Sequence, residues 1–434
     1  MPTVALIGAG SMVFARTLVG DILSFPELAD SSLRLMDVDE ARLERTERVA
    51  RAMVDNEGLD ADVVATTDRR EALADADYVL NMINVGGREP FENEIRIPLR
   101  YGVEQAIGDT IGPGGIFRAL RTIPTLLDIA ADVEELCPDA LFLNYTNPMT
   151  ILCWTLFEAT DVETVGLCHS VQHTVEAVAD YLDLPADEID HWVAGINHLA
   201  WLLELEHEGE DLTPRLRAAA DEEAIYRQDT ARFEMLKHFG AFPTESSHHL
   251  SEYVPYFRTD PETIEELTGE RYAGRMATAS YLQGWTERTA ERETTLDDDL
   301  GDVGVERSEE YASRLIHSIE TDTPRRFNLN VSNETNAIEG FPTDAPVEVP
   351  CLVDGSGVHP CSVGELPVEL AAFDRQHLAV YELVVRAALD HDRDALHRAM
   401  KLDPLTAAAC TLDEIHELTE ELLAANDAYL PDFD

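Results

Sequence analysis

Lysine is almost absent from this sequence. Only Lys237 and Lys401 are lysines, so arginine supplies 30 of the 32 basic side chains, against 85 acidic ones, and the formal net charge is −53. Nucleic acids and anionic membranes repel a protein of this charge, and we expect neither as a partner. We interpret the lysine-poor, acidic surface as a halophilic adaptation to a salt-rich cytoplasm, in which counterions screen the self-repulsion.

The sequence also lacks long hydrophobic runs and paired cysteines. Its first apolar run covers only residues 4–7, and no stretch approaches the roughly 20 apolar residues of a membrane helix. We therefore expect a cytoplasmic protein. The six cysteines show no CxxC spacing, which argues against a disulfide framework or a structural zinc module.

The N-terminal third alternates apolar runs with amphipathic stretches. Helical spacing over residues 40–54, between two apolar runs, predicts a parallel sheet that is covered by helices on both faces. After about residue 170 the helical stretches become longer, so we expect an α/β protein with a second domain packed on the first. The predicted strands are 4–7, 33–36, 78–85 and 141–145, with a strand-rich stretch at 191–206 and later helices at 378–388 and 415–424.

A glycine turn follows the first predicted strand. Gly8 and Gly10 would let the backbone approach a pyrophosphate at the start of a helix, although Val13 stands where the fingerprint has its third glycine. Asp37, at the end of the second strand, is placed to bind the adenosine ribose. The alternative is a tight turn without a ligand. The residues that we expect to contact NAD are Gly8, Gly10, Ser11, Asp37 and Asn84.

Two further segments suit the wall of an active site. Residues 108–115 are rich in glycine and include Asp109, although such a segment can also be a simple loop. Asn147 follows an apolar strand at the end where open α/β sheets bind ligands. A turn before proline is the structural alternative for Asn147.

Three more positions offer metal or acid–base chemistry. Cys168 and His198, each near the end of an apolar stretch, could hold a divalent metal together with substrate oxygens. Each could equally be a structural core residue. The polar cluster at residues 244–249, followed by Glu252 and Tyr253, supplies acid–base candidates, or is a solvated loop.

Several of these segments together resemble one known family. GAGS, DTIGPGGIFRALRTIP, LNYTNPM, GLCHSVQ, GINHLAW and TESS occur in this order, with VEVPCLVD and DPLTAAA later in the chain. They are similar to segments of the NAD- and manganese-dependent glycosidases of family 4. The sequence Cys-His-Ser-Val at residues 168–171 resembles the α-galactosidase branch rather than the branches that act on 6-phosphorylated sugars.

The resemblance implies hydrolysis by a redox route instead of by a pair of carboxylates. In that family NAD⁺ accepts a hydride from sugar C3, and a base then removes the acidified C2 proton. The anomeric bond breaks by elimination, water adds, and the hydride returns. Cys168 and His198 correspond to the ligands of the metal, Mn²⁺, and Asn147 corresponds to a residue that binds substrate near C3.

The resemblance also suggests the acid and the base. His169 corresponds to the general acid, with Asp109 as a supporting or alternative acid. The base differs among branches between tyrosine and a carboxylate, so Glu245 and Tyr253 both remain candidates.

The implied fold is similar to that of lactate and malate dehydrogenases: a Rossmann NAD-binding domain over residues 1–168 and an α/β substrate- and metal-binding domain over residues 169–434. We expect a small-molecule α-galactoside as substrate, with α-glucosides or α-galacturonides as alternatives, and a homo-oligomer, either dimer or tetramer. An NAD-dependent 2-hydroxy-acid dehydrogenase is the alternative reaction class. It would need an arginine to clamp a carboxylate, and it would not need Cys168 and His198 as ligands. A non-catalytic NAD-sensing protein would need no acid, base or ligand at all.

Overall fold

The computed structural model describes residues 1–267, 278–284 and 303–433. One sheet of 13 strands runs through it. The strands are β1 (Thr3–Ile7), β2 (Ser32–Met36), β3 (Asp62–Thr66), β4 (Tyr78–Asn81), β5 (Leu141–Asn144), β6 (Thr164–Gly166), β7 (Ile189–Ile196), β8 (Leu199–His207), β9 (Glu210–Asp211), β10 (Phe242–Pro243), β11 (Arg325–Ser332), β12 (Pro346–Asp354) and β13 (Gly357–Pro360).

The N-terminal half of the sheet is parallel. Its strands lie in the order β3-β2-β1-β4-β5-β6, and each is parallel to its neighbours. This is the strand order of a Rossmann fold, and it confirms the predicted architecture. The direction of strand succession reverses between β1 and β4, and open α/β sheets bind ligands in the crevice at such a point.

From β6 onward the sheet continues with antiparallel pairs, in the order β6-β11-β12-β7-β8-β10. Strands β11 and β12 come from much later in the chain and lie between β6 and β7. Four residues form a row across these strands: Gly166 pairs with Asn330, Asn330 with Glu348, and Glu348 with Gly195. This lateral row links the loop after β6 to the turn after β7.

Helices in the described part of the chain pack on this sheet or on one another. They are α1 (Met12–Leu23), α2 (Glu40–Glu57), α3 (Arg69–Leu73), α4 (Arg88–Arg100), α5 (Gly112–Leu136), α6 (Met149–Ala159), α7 (Ser170–Leu182), α8 (Thr213–Ala219), α9 (Glu223–Tyr226), α10 (Thr230–Phe239), α11 (Ser247–Tyr253), α12 (Pro261–Glu266), α13 (Ala312–Thr321), α14 (Val368–Leu389), α15 (Arg393–Leu402), α16 (Pro404–Ala409) and α17 (Leu412–Asn426).

Helix α2 illustrates how the sequence sets these boundaries. The side chain of Asp39 accepts a hydrogen bond from the backbone N–H of Arg42 and caps the start of the helix. The helix ends at Glu57 and is followed by the capping residue Gly58, which adopts φ 64° and closes the last turn. It is therefore three residues longer than the 40–54 stretch that the periodicity predicted.

A single hydrophobic core joins the two halves of the sheet. Leu6 of β1, Phe142 of β5, Leu329 of β11 and Val384 of α14 are all fully buried in one cluster. A smaller cluster fills the space between α7 and the β7–β8 hairpin. Within the described ranges, no helix has the length and apolar character needed to cross a membrane.

One predicted strand is shorter than the sequence indicated. The strand predicted over residues 78–85 ends at Asn81, whose side-chain amide donates to Asn144 Oδ1 at 2.9 Å. The chain then turns away, reaching Gly86 and Gly87 with φ values of 77° and 64°. The apolar residues after Asn81 therefore belong to a loop, which the apolar run alone could not reveal.

Strand β3 was not predicted. Its sequence, DVVAT, has only one fully buried residue, Val63. It forms the edge of the sheet beside β2 and shows no long apolar run. A half-exposed edge strand of this length gives little sequence signal.

Candidate active site

Two glycines that have no room for a side chain form the turn after β1. Gly8 has φ 92°, and a Cβ there would lie 2.8 Å from the carbonyl oxygen of Met82. A Cβ on Gly10 would lie 2.6 Å from the carboxylate of Asp37, which accepts the Gly10 N–H at 2.7 Å. The turn leads into α1, whose first N–H groups have no side-chain cap. The tight turn and the uncapped N–H groups at the start of α1 together form a site that fits a pyrophosphate.

The two other residues predicted to contact the cofactor lie at the same edge of the sheet. Ser11 precedes α1 and donates its backbone N–H to Gly8 O at 3.1 Å, and Asn84 follows β4. Both residues are exposed. The structure thus leaves both side chains accessible to a ligand in the crevice between β1 and β4.

Cys168 and His198 meet in the structure. Cys168 lies in the loop between β6 and α7, His198 lies in the turn between β7 and β8, and both are buried. The Cys168 Sγ and His198 Nε2 atoms are 3.2 Å apart. His198 has φ 62°, a left-handed conformation that non-glycine residues rarely adopt outside functional sites and turns. The predicted pair is therefore one buried cluster.

The electrostatics of this pair leave both side chains uncharged in the absence of a cation. Burial raises the pKa of the Cys168 thiol, and the nearby carboxylates of Glu348 and Glu245 raise it further. Burial lowers the pKa of His198, so its imidazole is neutral, which is the form that binds metals. A bound cation would stabilise the thiolate that this buried site otherwise disfavours.

A carboxylate completes the cluster. One oxygen of Glu245 and the ligand atoms of Cys168 and His198 all lie within 4.8 Å of one another. Burial raises the pKa of Glu245, but neighbouring histidines, with His198 first, lower it by more, so the carboxylate is ionised. Glu245 has φ 70°, a second left-handed residue in this site. A thiol, an imidazole and a carboxylate fit a divalent metal, and the oxygen ligand suits Mn²⁺.

His249 also contacts this cluster, although no individual role was predicted for it from the sequence. Its Nε2 lies 3.5 Å from Glu245 Oε1, and its ring centroid lies 4.8 Å from that of His198. Its side chain is 13% exposed. The adjacent histidines at residues 248–249 are the sequence feature that could have indicated His249. Their position in α11 brings the second of them to the cluster.

His169 is oriented by an acidic residue that the sequence did not indicate. Its Nδ1 lies 3.2 Å from Glu310 Oε1, and its side chain is 42% exposed. Burial lowers the pKa of His169, but the hydrogen bond and charge of Glu310 outweigh this effect and raise the pKa overall. The pairing of Nδ1 with Glu310 leaves Nε2 as the nitrogen that can face a substrate.

Buried Glu252 and partly buried Arg118 hold the loop of Asp109. Glu252 Oε1 accepts the backbone N–H groups of residues 107 and 108, each at 3.0 Å. Arg118 Nη1 lies 3.8 Å from Asp109 Oδ2, and Arg118 Nε donates to the Asn147 carbonyl oxygen at 3.0 Å. Asp109 Oδ1 is buried and has no hydrogen-bond partner among the described residues. The Asp109 loop and Asn147 are thus joined through Arg118.

Tyr253 lies in the protein interior. It is 2% exposed, and its hydroxyl donates to the backbone oxygen of Asn197 at 3.4 Å. Burial raises its pKa well above the usual value for tyrosine. Tyr253 therefore contacts the residue before His198 rather than the ligand side chains themselves.

Glu348 is a buried acid that sequence reasoning missed. It is fully buried in β12, and Ser170 Oγ lies 3.5 Å from its Oε1. Burial raises its pKa to about 8, so the carboxyl is largely protonated at neutral pH. The available signal was an acid inside the largely apolar strand VEVPCLVD, whose second acid, Asp354, lies only at the strand end.

These features define a class: a Rossmann-type protein with a candidate metal centre at the edge of its nucleotide-binding sheet. The chain belongs to family 4 of the glycosyl hydrolases, because residues 3–184 match the family model and residues 193–406 match the model of its C-terminal domain. The predicted family is thereby confirmed.

Two relatives and one solved structure indicate where the chain lies in the family. It is 40% identical over 439 residues to an alpha-galactosidase from Bacillus subtilis, covering 100% of both chains. It is 38% identical over 438 residues to an alpha-galactosidase from Rhizobium meliloti, covering 99% of this chain and 89% of that one. A 6-phospho-alpha-glucosidase from gut microorganisms, solved with NAD and Mn²⁺, shares the fold with a TM-score of 0.83 at 22% identity over 100% of both chains.

Proposed function

We propose that this chain hydrolyses α-galactosides with the help of NAD⁺ and a divalent metal, Mn²⁺. Residues 1–168 form the NAD-binding domain and residues 169–434 the substrate- and metal-binding domain, with Cys168 at their junction. The observation that carries the proposal is the contact of 3.2 Å between Cys168 Sγ and His198 Nε2. The two alpha-galactosidase relatives support the choice of sugar.

The residues of the chain fit both cofactors. The turn at Gly8 and Gly10, with Asp37, would hold NAD⁺, and Cys168 with His198 would hold the metal. When bound, NAD⁺ supplies an electron acceptor for sugar C3, and the metal supplies a Lewis acid for the adjacent sugar oxygens.

The proton transfers belong to side chains around this pair. Glu245 is the proposed base for the C2 proton, because it is ionised and lies beside both ligand atoms. Tyr253 is the second candidate, although its raised pKa opposes loss of its proton. His169, held by Glu310, is the proposed acid that protonates the leaving oxygen, with Asp109 as the alternative. Asn147 is proposed to bind the sugar near C3.

Replacing Asp37 by alanine is expected to weaken NAD⁺ binding. The loss of charged hydrogen bonds to the ribose is worth roughly 1–3 kcal/mol, which is about a 5- to 150-fold rise in Kd. Calorimetric titration of NAD⁺ measures this change. Glu44→Ala, which removes an exposed acid from the adjacent helix α2, is the matched control and should leave Kd unchanged. An Asp37→Ala protein with the original Kd would contradict the ribose assignment.

Turnover of an aryl α-galactoside in heavy water tests the proposed function. With NAD⁺ and Mn²⁺ present, the galactose product should carry deuterium at C2, and NADH should not accumulate, because the electrons return to the sugar in each cycle. Glu245→Gln should abolish both labelling and turnover. Cleavage without C2 label would contradict the redox route, and stoichiometric NADH would indicate a dehydrogenase.

The same assay with matched aryl α-glucosides and α-galacturonides tests which sugar the enzyme prefers. A higher kcat/KM for either of them would replace the α-galactoside as the proposed substrate. A dimer or tetramer, a cytoplasmic location and a halophilic source remain predictions from the sequence.

A further inference from the structure

A cleft of about 610 Å³, separate from the site described above, is lined by four arginines. It lies between the end of α1, the start of α7 and the segment from residue 307 to β11. We propose that this cleft binds a small polyanion that carries phosphate or carboxylate groups. The proposal does not depend on the glycosidase reaction. The four arginines are Arg307, Arg314, Arg325 and Arg326.

These arginines donate to neutral groups instead of to carboxylates. Arg307 Nε donates to Ser24 Oγ at 2.9 Å, and Arg325 Nη1 donates to Ser318 Oγ at 2.8 Å. Arg326 lies over the Trp192 ring, 5.7 Å from its centroid. Among the residues that the structure describes, none of the four arginines has a carboxylate oxygen in ion-pair contact.

This lack of partners is unexpected in such an acidic chain. Acidic residues outnumber basic ones by 85 to 32, and arginines elsewhere on the surface do pair with them. Arg51, for example, lies 2.7 Å from Glu47, and Arg398 lies 3.2 Å from Asp394. Four guanidinium groups that form no ion pair with the described acids give the cleft an excess of positive charge, which is available for an external anion.

The rest of the lining does not neutralise this charge. Glu309 is the single acid among the described lining residues; it is 64% exposed and its carboxylate lies 3.7 Å from His173 Nε2. Burial lowers the pKa of His191, and Arg326 lowers it further, so this imidazole is neutral. Phe25 and Phe327 provide apolar walls.

The chemistry of the cleft indicates the class of ligand. Guanidinium groups bind phosphate and carboxylate oxygens through paired hydrogen bonds. The volume is in the range of small-molecule pockets and exceeds what a single phosphate needs. A ligand with two or more anionic groups, such as a diphosphate or a tricarboxylate, fits both the charge and the size.

The cleft also contacts the loop of the candidate metal site. Tyr311, which lines the cleft, accepts the Cys168 backbone N–H at 2.9 Å and donates to the Cys168 carbonyl oxygen at 2.8 Å. Tyr311 therefore joins the wall of the cleft to the backbone of Cys168.

Calorimetric titration of inorganic pyrophosphate and of citrate tests the proposal. The full chain is kept at constant ionic strength with saturating NAD⁺, so that the glycine turn is not the site that is measured. We expect one anion per chain. Arg314→Gln combined with Arg326→Gln should weaken binding by about tenfold or more, because two charged donors are lost. These two side chains make only weak internal contacts, so the fold should be retained.

Arg386→Gln combined with Arg398→Gln is the matched control, since both arginines are more than half exposed and lie outside the cleft. It should leave the affinity within about twofold of the original. Absence of binding at 10 mM of either anion, or an equal loss in the control, would overturn the proposal. So would a cleft variant that changes the oligomeric state in light scattering but keeps its affinity for both anions, since the cleft would then be an interface.

Discussion

Replacing Cys168 by serine is expected to lower α-galactoside turnover by about three orders of magnitude. The change removes the soft ligand of the proposed metal pair and replaces it with a hydroxyl that stays protonated at neutral pH. Loss of several kcal/mol of charge stabilisation from a displaced metal corresponds to a rate loss of this size. The affinity for NAD⁺ should be unchanged, because the turn at Gly8 and Gly10 belongs to β1 and α1 rather than to the loop after β6.

Cys410→Ser is the matched control for this substitution. Cys410 is half-buried near the C-terminal helices, and its Sγ lies 3.3 Å from the backbone oxygen of Tyr101. It should keep full turnover and the original dependence on Mn²⁺. Metal titration followed by electron paramagnetic resonance gives a second readout, in which Cys168→Ser should bind Mn²⁺ more weakly. A Cys168→Ser enzyme with full metal-dependent turnover would contradict the ligand assignment.

The nucleotide-binding half was predictable because its signals are local. Gly8, Gly10 and Asp37 each lie next to a strand end that an apolar run marks, and parallel strands bring such ends to one edge. The family resemblance identified Cys168 and His198 from short motifs, and the structure places their side chains in contact. In each case a few neighbouring residues carried the information.

The residues that support the site were not predictable from the sequence because their partners are distant. Glu310 is far from His169 in the chain, and it reaches the imidazole only through the segment before α13. Glu348 reaches Ser170 only because β11 and β12 lie between β6 and β7. No spacing rule links such pairs, since their contact depends on the topology of the whole sheet.

A fully buried ion pair beneath the Asp109 loop was also not predictable from the sequence. Arg121 Nε lies 2.7 Å from Glu94 Oε1 and Arg121 Nη2 lies 3.0 Å from Glu94 Oε2, with both side chains 0% exposed. The backbone oxygen of Glu94 accepts the Gln105 side-chain amide at 2.8 Å, and Gln105 Oε1 accepts the Gly114 N–H at 2.9 Å. The pair therefore joins α4 to the interior of α5, and Gln105 links Glu94 to the glycine-rich start of that helix.

Glu94→Ala is expected to lower the free energy of unfolding by about 3–5 kcal/mol, because it leaves the Arg121 guanidinium buried without a counter-charge. Chemical unfolding followed by circular dichroism measures the loss. Glu94→Leu combined with Arg121→Met removes both charges and should recover most of it, since apolar side chains of similar size avoid the desolvation cost. Glu47→Ala breaks an exposed pair with Arg51 and should cost less than about 1 kcal/mol. If the double variant were less stable than Glu94→Ala, the pair would be stabilising by its own attraction, and the unpaired charge would not be the cause of the loss.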